Sequence, residues 1–192
     1  MLRELVEQNR TCRGFDESRK VTKEELLELV DLTRYVASAA NLQPLKFSVL
    51  WEQEAVEAFL PLTKWGGALP QLGLPRQGEH PAAFIVICHD TTVCPDNGNS
   101  LIELGAMAQT MLLGAVERGL AGCMILSFKA DGVKEQLGLA EHLVPKLVVG
   151  LGKSKETVKI VGVGENGSMK YYRDENDVHY VPKRDLKDIV IE

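Results

Sequence analysis

The sequence predicts an α+β fold, on three observations. Two segments carry helix-start signals followed by apolar residues at helical spacing. Four short runs are apolar and β-branched enough to be strands. Helices and strands mix without a strict strand–helix–strand order, which argues against a doubly wound parallel sheet. The 192 residues suit one domain spanning 1–192, with 165–192 as a candidate extension toward a partner subunit.

Residues 2–9 read as a short helix ending ahead of NRTCRGF. In VTKEELLELVDLTRYVASAA, Thr22 is the N-cap and Glu25 its partner three positions on, a capping box. Val21 and Leu26 are placed for a hydrophobic staple, and Leu26, Leu29, Val30 and Thr33 keep the helical period. This helix fades into 37–43. KFSVLW (46–51) reads as a strand and EAVEAFLPL (54–62) as a short helix. The Gly- and Pro-rich loop 63–80 follows, and loops of that length in compact domains are functional or mobile. AAFIVICH (82–89) is a buried strand by its continuous apolar run. SLIELGAMAQTMLLGAVERG offers a second capping box, Ser100 with Glu103, and a stop at Gly119. Its interior residues Gly105, Ala106, Ala108, Gly114 and Ala115 are small. They suit a tightly packed central helix, or one that also packs on a twin subunit. LAGCMIL (120–126) and KLVVGLG (146–152) are the remaining strands, with a helix over 131–139 that ends at Gly138. The rest is polar and extended, with a turn at ENG (165–167) and a candidate edge strand, DIVIE (188–192), able to reach a partner.

Net charge is 22 − 27 = −5, without the basic footprint that nucleic acid or an anionic membrane requires. No apolar run reaches the roughly 18 residues of a membrane span, and the charged N-terminus is unlike a signal peptide. The four cysteines form no C-x-x-C and no zinc spacing, so no metal site is expected. Cys88 and Cys123 lie in apolar segments, which fits a cytoplasmic protein with reduced thiols. The chain has no phosphate-cradling P-loop, no H-E-x-x-H, no strand-to-helix G-x-G-x-x-G and no Ser-His-Asp pattern.

Three motifs carry chemistry. Arg10, Thr11 and Arg13 put two guanidinium forks and a hydroxyl together, a set suited to phosphate. Ser38, Asn41 and Gln43 bring hydroxyl and amide groups to one loop, able to read the uracil-like edge of a flavin. Lys183 and Arg184 follow Pro182 and could complete a phosphate site. Each has a plainer reading: a solvated arginine pair, a helix end stopped by Pro44, and a charged turn.

In this order the motifs resemble the nitroreductase family of FMN-dependent oxidoreductases. The resemblance rests on RTCRGF, SAANLQP, LGAMAQTMLLGAVERGLAGCMI, LVVGLGKSKE and a late PKR, and runs from about residue 3 to the end. Three positions depart from the commoner family pattern and bear on substrate preference. Leu45 stands where many relatives have an aromatic residue, Ala37 where many have proline, and Asn9-Arg10 where many have Arg-Arg or Arg-His.

The resemblance implies a three-layer sandwich, a mostly antiparallel sheet flanked by helices, in an intertwined homodimer with FMN at the interface. It implies that Arg10, Thr11 and Arg13 hold the phosphate and ribityl side, with charge added by Lys183 and Arg184. Ser38, Asn41 and Gln43 would approach the flavin, at least some of them from the other subunit. The backbone at Leu126 and Ser127 would face the flavin N5/O4 edge, and Arg13 would lie near N1/O2. NADH or NADPH would deliver a hydride to the flavin, and a small acceptor such as a nitroaromatic or quinone would take the electrons in ping-pong turnover. No side chain is then needed as a nucleophile or base. Three rival readings remain: a flavin-binding redox sensor or store, a dehalogenase or flavin-destructase branch, and a non-flavin oligomeric domain for another phosphate ligand. Lys64 and Trp65 lie in the long loop, as a cover for the flavin or as an anchor to the core. Cys12 is either a reactive thiol or a buried bystander.

Overall fold

The computed structural model describes residues 1–165 and 167–191. Its hub is the strand β3 (Ala83–Asp90), buried at every residue. Phe84, Ile85, Val86 and Ile87 are fully buried, and each such side chain contributes about 1.5–3 kcal/mol. On one side β3 pairs with β2 (Leu45–Leu50), on the other with β5 (Leu143–Ser154). The far edge of β5 holds β4 (Ala121–Ile125) and, further along, the two-residue β1 (Phe15–Asp16). Every ladder of this five-stranded sheet is antiparallel.

Alternation along β3 divides the core into two layers. Ile85 and Ile87 face a cluster with Leu26 and Leu29 of α2 (Lys23–Thr33) and Met107, Ala108 and Met111 of α4 (Leu101–Glu117). Phe84, Val86 and Cys88 face a cluster with Val56 and Phe59 of α3 (Gln53–Phe59) and Val133 of α5 (Ala130–Leu137). Helices therefore cover both faces, giving the expected three-layer α+β sandwich. The N-terminal helix α1 (Leu2–Gln8) buries none of its residues.

Local signals explain two helix ends, the start of α2 and the close of α5. The Thr22 hydroxyl accepts from the Glu25 N–H at 3.2 Å, and the Glu25 carboxylate accepts from the Thr22 N–H at 2.9 Å. Val21 and Leu26 share the core behind them. Gly138 closes α5 in the left-handed region at φ 58°. The second capping box does not form. The Ser100 hydroxyl is bonded to the His89 imidazole at 3.0 Å, and Glu103 is buried. A partner at the end of β3, 11 residues away in sequence, wins over the local cap.

The chain divides into two compact units, Met1–Ser154 and Lys155–Glu192. In the second, β8 (His179–Lys183) pairs parallel with β6 (Val158–Gly162) and antiparallel with β7 (Tyr172–Arg173). Tyr172 stacks on Tyr180 with centroids 5.1 Å apart, and buried Arg173 pairs with Glu156 at 2.5 Å. The expected edge strand at the C-terminus is absent from residues 188–191. A single 3-10 turn (Leu186–Asp188) leads into exposed, unpaired Ile189, Val190 and Ile191, because a strand needs a ladder partner. Glu192, and Asn166 within the expected ENG turn, lie outside the described residues.

Candidate functional site

The arginine motif links α1 to β1 and is laid against β4. The Cys12 N–H donates to the Gly122 carbonyl at 3.0 Å, and Thr11 bridges Gly122 in parallel register. Gly122 is itself confined by α4 and β5. A Cβ at Gly122 would come within 2.7 Å of the Gly150 carbonyl oxygen and 2.6 Å of Leu112. Cys12 is buried, its thiol donating to the Gly14 carbonyl at 3.2 Å and lying 3.3 Å from the Ser154 hydroxyl. The bystander reading of Cys12 therefore holds, and the thiol serves to fix the motif.

Arg10 reaches back to donate through Nη2 to the Val6 carbonyl at 2.7 Å, satisfying one of the last carbonyls of α1. Its Nε is buried without a hydrogen-bond partner. A buried guanidinium donor left open is costly unless an acceptor arrives, and an oxyanion is the natural acceptor. Thr11 beside it is exposed and Arg13 is half-buried. At the far end of the motif, the Ser18 hydroxyl and then the Lys153 ammonium hold the Asp16 carboxyl down at about 2.

The amide loop is strained. Ala40, Asn41 and Gln43 adopt φ of 49°, 56° and 52°, the left-handed region that only Asn among them tolerates well. Hydrogen bonds hold the strain in place. The Ser38 hydroxyl accepts from the Gln43 N–H at 2.9 Å, and Gln43 Nε2 donates to Asn41 Oδ1 at 3.1 Å. Asn41 and Gln43 are exposed and Ser38 is half-buried. Strain kept on an exposed polar loop is a mark of function rather than of stability.

Just past β4, Leu126 is 74% exposed. The next residue, Ser127, accepts the Lys64 N–H through its carbonyl at 2.8 Å, while Thr63 bridges Phe128 and the Lys129 N–H donates to Leu62 at 2.8 Å. The start of the long loop is thus clamped to this segment, which places Lys64 against Ser127. Trp65 is an anchor. Its indole N–H donates to the Thr63 hydroxyl at 2.7 Å, and its ring lies 6.2 Å from Phe15 and 6.4 Å from Phe84. Gly150 makes the slot, since a Cβ there would meet the indole at 2.5 Å. The sequence showed no local signal for the 62–64 to 127–129 pairing.

Sheet register shows what one chain brings together. Thr11 pairs with Gly122, which pairs with Leu151. Leu45, just after the amide loop, pairs with His89, which pairs with Val144. The arginine motif and the amide loop are therefore four strand spacings and seven residues of β5 apart, about 19 Å across the sheet and about 23 Å along it. No single mononucleotide spans that gap. The arginine motif, in contrast, is laid against β4 at Gly122, and the Leu126–Ser127 segment follows the end of the same strand. Lys183 ends β8 and Arg184 follows it, both exposed, in the second unit.

The model of the nitroreductase family matches residues 6–153. The chain belongs to the nitroreductase family. Similar proteins include Bacillus subtilis (strain 168) YodC, provisionally named an NAD(P)H nitroreductase, 22% identical over 178 residues that cover 79% of this chain and 88% of that one. A solved nitroreductase family protein of Streptococcus pneumoniae TIGR4 shares the fold at TM-score 0.68 and 15% identity, covering 100% of both chains. A protein of Exiguobacterium sibiricum, provisionally described as a nitroreductase in complex with FMN, matches at TM-score 0.65 and 21% identity, covering 81% of this chain and 89% of that one. The matched family region lies within the first structural unit.

Proposed function

We propose that this nitroreductase-family chain is an FMN-dependent NAD(P)H oxidoreductase that works as a homodimer, each flavin held by two copies. The observation that carries the reading is the placement of the two motif groups at opposite sheet edges. Each group is built for a ligand, yet one chain cannot apply both to the same molecule. The FMN in the complex of the Exiguobacterium protein and the NAD(P)H in the name of the Bacillus protein support the cofactor and the donor. Exposed apolar residues on α4, Leu101 at 56% and Ile102 at 86%, support a second copy packing there. So does the row of small exposed residues beside them, Gly105 and Ala106.

When bound, FMN supplies a two-electron carrier between a reduced nicotinamide and a small acceptor such as a nitroaromatic or quinone. The residues supply the rest. The open Nε of Arg10 and the hydroxyl of Thr11 bind the phosphate. Arg13 places positive charge beside the pyrimidine part of the ring. The backbone at Leu126 and Ser127 would hold the reactive edge of the ring, and exposed Leu126 would offer it an apolar wall that excludes water. From the partner subunit, the loop 38–43 presents its amides in a geometry already fixed before binding, so little ordering is left to be done. No side chain acts as nucleophile or base.

Arg10→Ala tests the phosphate assignment. A lost charge-assisted hydrogen bond costs about 1.5–3 kcal/mol, so FMN affinity measured by fluorescence quenching falls by about tenfold or more. An affinity unchanged within about threefold contradicts it.

A further inference from the structure

The flavin reading uses the backbone at Leu126 and Ser127 and leaves the outer face of the neighbouring clamp, 62–64 against 127–129, without a role. The clamp is a single antiparallel bridge, Thr63 to Phe128, flanked by two backbone hydrogen bonds of 2.8 Å. Side chains alternate along extended backbone, and both Thr63 and Lys129 are extended, at φ/ψ of −105°/151° and −84°/92°. Thr63 is buried, and Phe128 packs on the core layer of Val56 and Phe59. Lys64, Ser127 and Lys129 each stand one position from the bridged pair. They therefore project to the opposite face, and all three are exposed.

Register sets the spacing. Lys64 lies directly opposite Ser127 and diagonally from Lys129, which puts the two lysines about 7–8 Å apart at the backbone. Two ammonium groups on one face of a fixed clamp repel each other, and an anion between them removes that cost. Neither lysine uses its ammonium in an ion pair or hydrogen bond among the described residues. The one carboxylate within 60–66 and 124–133 is Asp131. It sits in the first turn of α5, where the open N–H groups of its own helix attract it. Two lysines against one aspartate leave these segments net positive, in a chain of net charge −5.

We infer that Lys64 and Lys129, beside the Ser127 hydroxyl, select an electron acceptor that carries a carboxylate over a neutral one. The inference rests on the flavin reading of Leu126 and Ser127, since the lysines choose among substrates only if the reactive edge of the ring lies at this segment. An acceptor of one aromatic ring can then set its reducible group at that edge and its carboxylate against the ammonium groups. Adjacent residues of one segment serve both ends. The charges are exposed, so each lysine contributes modestly, about 1.5–5-fold, through encounter as well as binding.

The test is steady-state reduction of 4-nitrobenzoate and of uncharged 4-nitrobenzyl alcohol by the full-length protein loaded with FMN, with NADH or NADPH as donor. The readout is the ratio of the two kcat/KM values, acid over alcohol. Intrinsic reactivities of the two acceptors cancel when that ratio is compared between variants. Lys64→Met should lower it about threefold at low salt, Lys64→Glu should lower it further, and Lys64→Met with Lys129→Met about tenfold. Salt at about 0.5 M should shrink these differences. Lys23→Met removes the same charge from α2, which packs on the other face of the sheet, and should leave the ratio as it is. An unchanged ratio in Lys64→Glu, or an equal fall in Lys23→Met, would overturn the proposal. So would a flavin that bleaches with the nicotinamide and is reoxidised by neither acceptor. A protein that holds no flavin would sink the flavin reading and this inference together, and the visible spectrum taken before acceptor is added tells that outcome apart.

Discussion

Among single residues, the buried thiol of Cys88 shows how the core sets chemistry. Burial pushes it from its ordinary value of 9.0 up to about 11, and the Lys134 ammonium only partly opposes this. The folded chain therefore holds the thiol protonated where the unfolded chain releases its proton. Stability is unaffected below pH 9.0 and falls as pH rises toward about 11, by roughly 2–3 kcal/mol if the other groups are unchanged. Urea unfolding across that range should show this loss in the native protein, and Cys88→Ala should remove it. The burial of Cys88 was legible in the run AAFIVICH. The open Nε of Arg10 was not, because it depends on a helix carbonyl and a β4 backbone that the motif itself does not specify.

The elements divide by the range of the interactions that set them. The Thr22 capping box formed as expected, since donor, acceptor and staple all lie within six residues. The Ser100 box failed because His89 competes from the end of β3. The clamp between 62–64 and 127–129 left no mark in the sequence, being a backbone pairing between distant segments. The amide loop is the intermediate case. Its residue types pointed to a ligand, but the left-handed run through Ala40, Asn41 and Gln43 is visible only in three dimensions. A left-handed alanine costs about 1–2 kcal/mol, and glycine's added unfolded-state freedom returns about 0.5–1. Ala40→Gly is therefore expected to raise stability by about 0.5–1 kcal/mol in chemical denaturation while weakening FMN binding, because a freer loop must be ordered on binding. A loop that exists only for stability would show the first effect without the second.

Over the whole molecule, the three-layer sandwich was readable from strand and helix signals, whereas the separation of the two motif groups follows from register. A composite site makes a specific demand. Subunits carrying Arg10→Ala and subunits carrying Asn41→Ala with Gln43→Ala should each bind FMN weakly alone. Mixed, they should recover one intact site in each heterodimer, since one flavin then meets Arg10 of one copy and the amides of the other. A site built within one chain would recover nothing. No helix among the described residues is long and apolar enough to cross a membrane. The measurement that tests the central claim most directly is the visible spectrum of the purified protein before and after anaerobic NADH or NADPH. A flavin absorbance that bleaches with a reduced nicotinamide is the result this account predicts. A protein that carries no flavin and takes up none when FMN is added would contradict it.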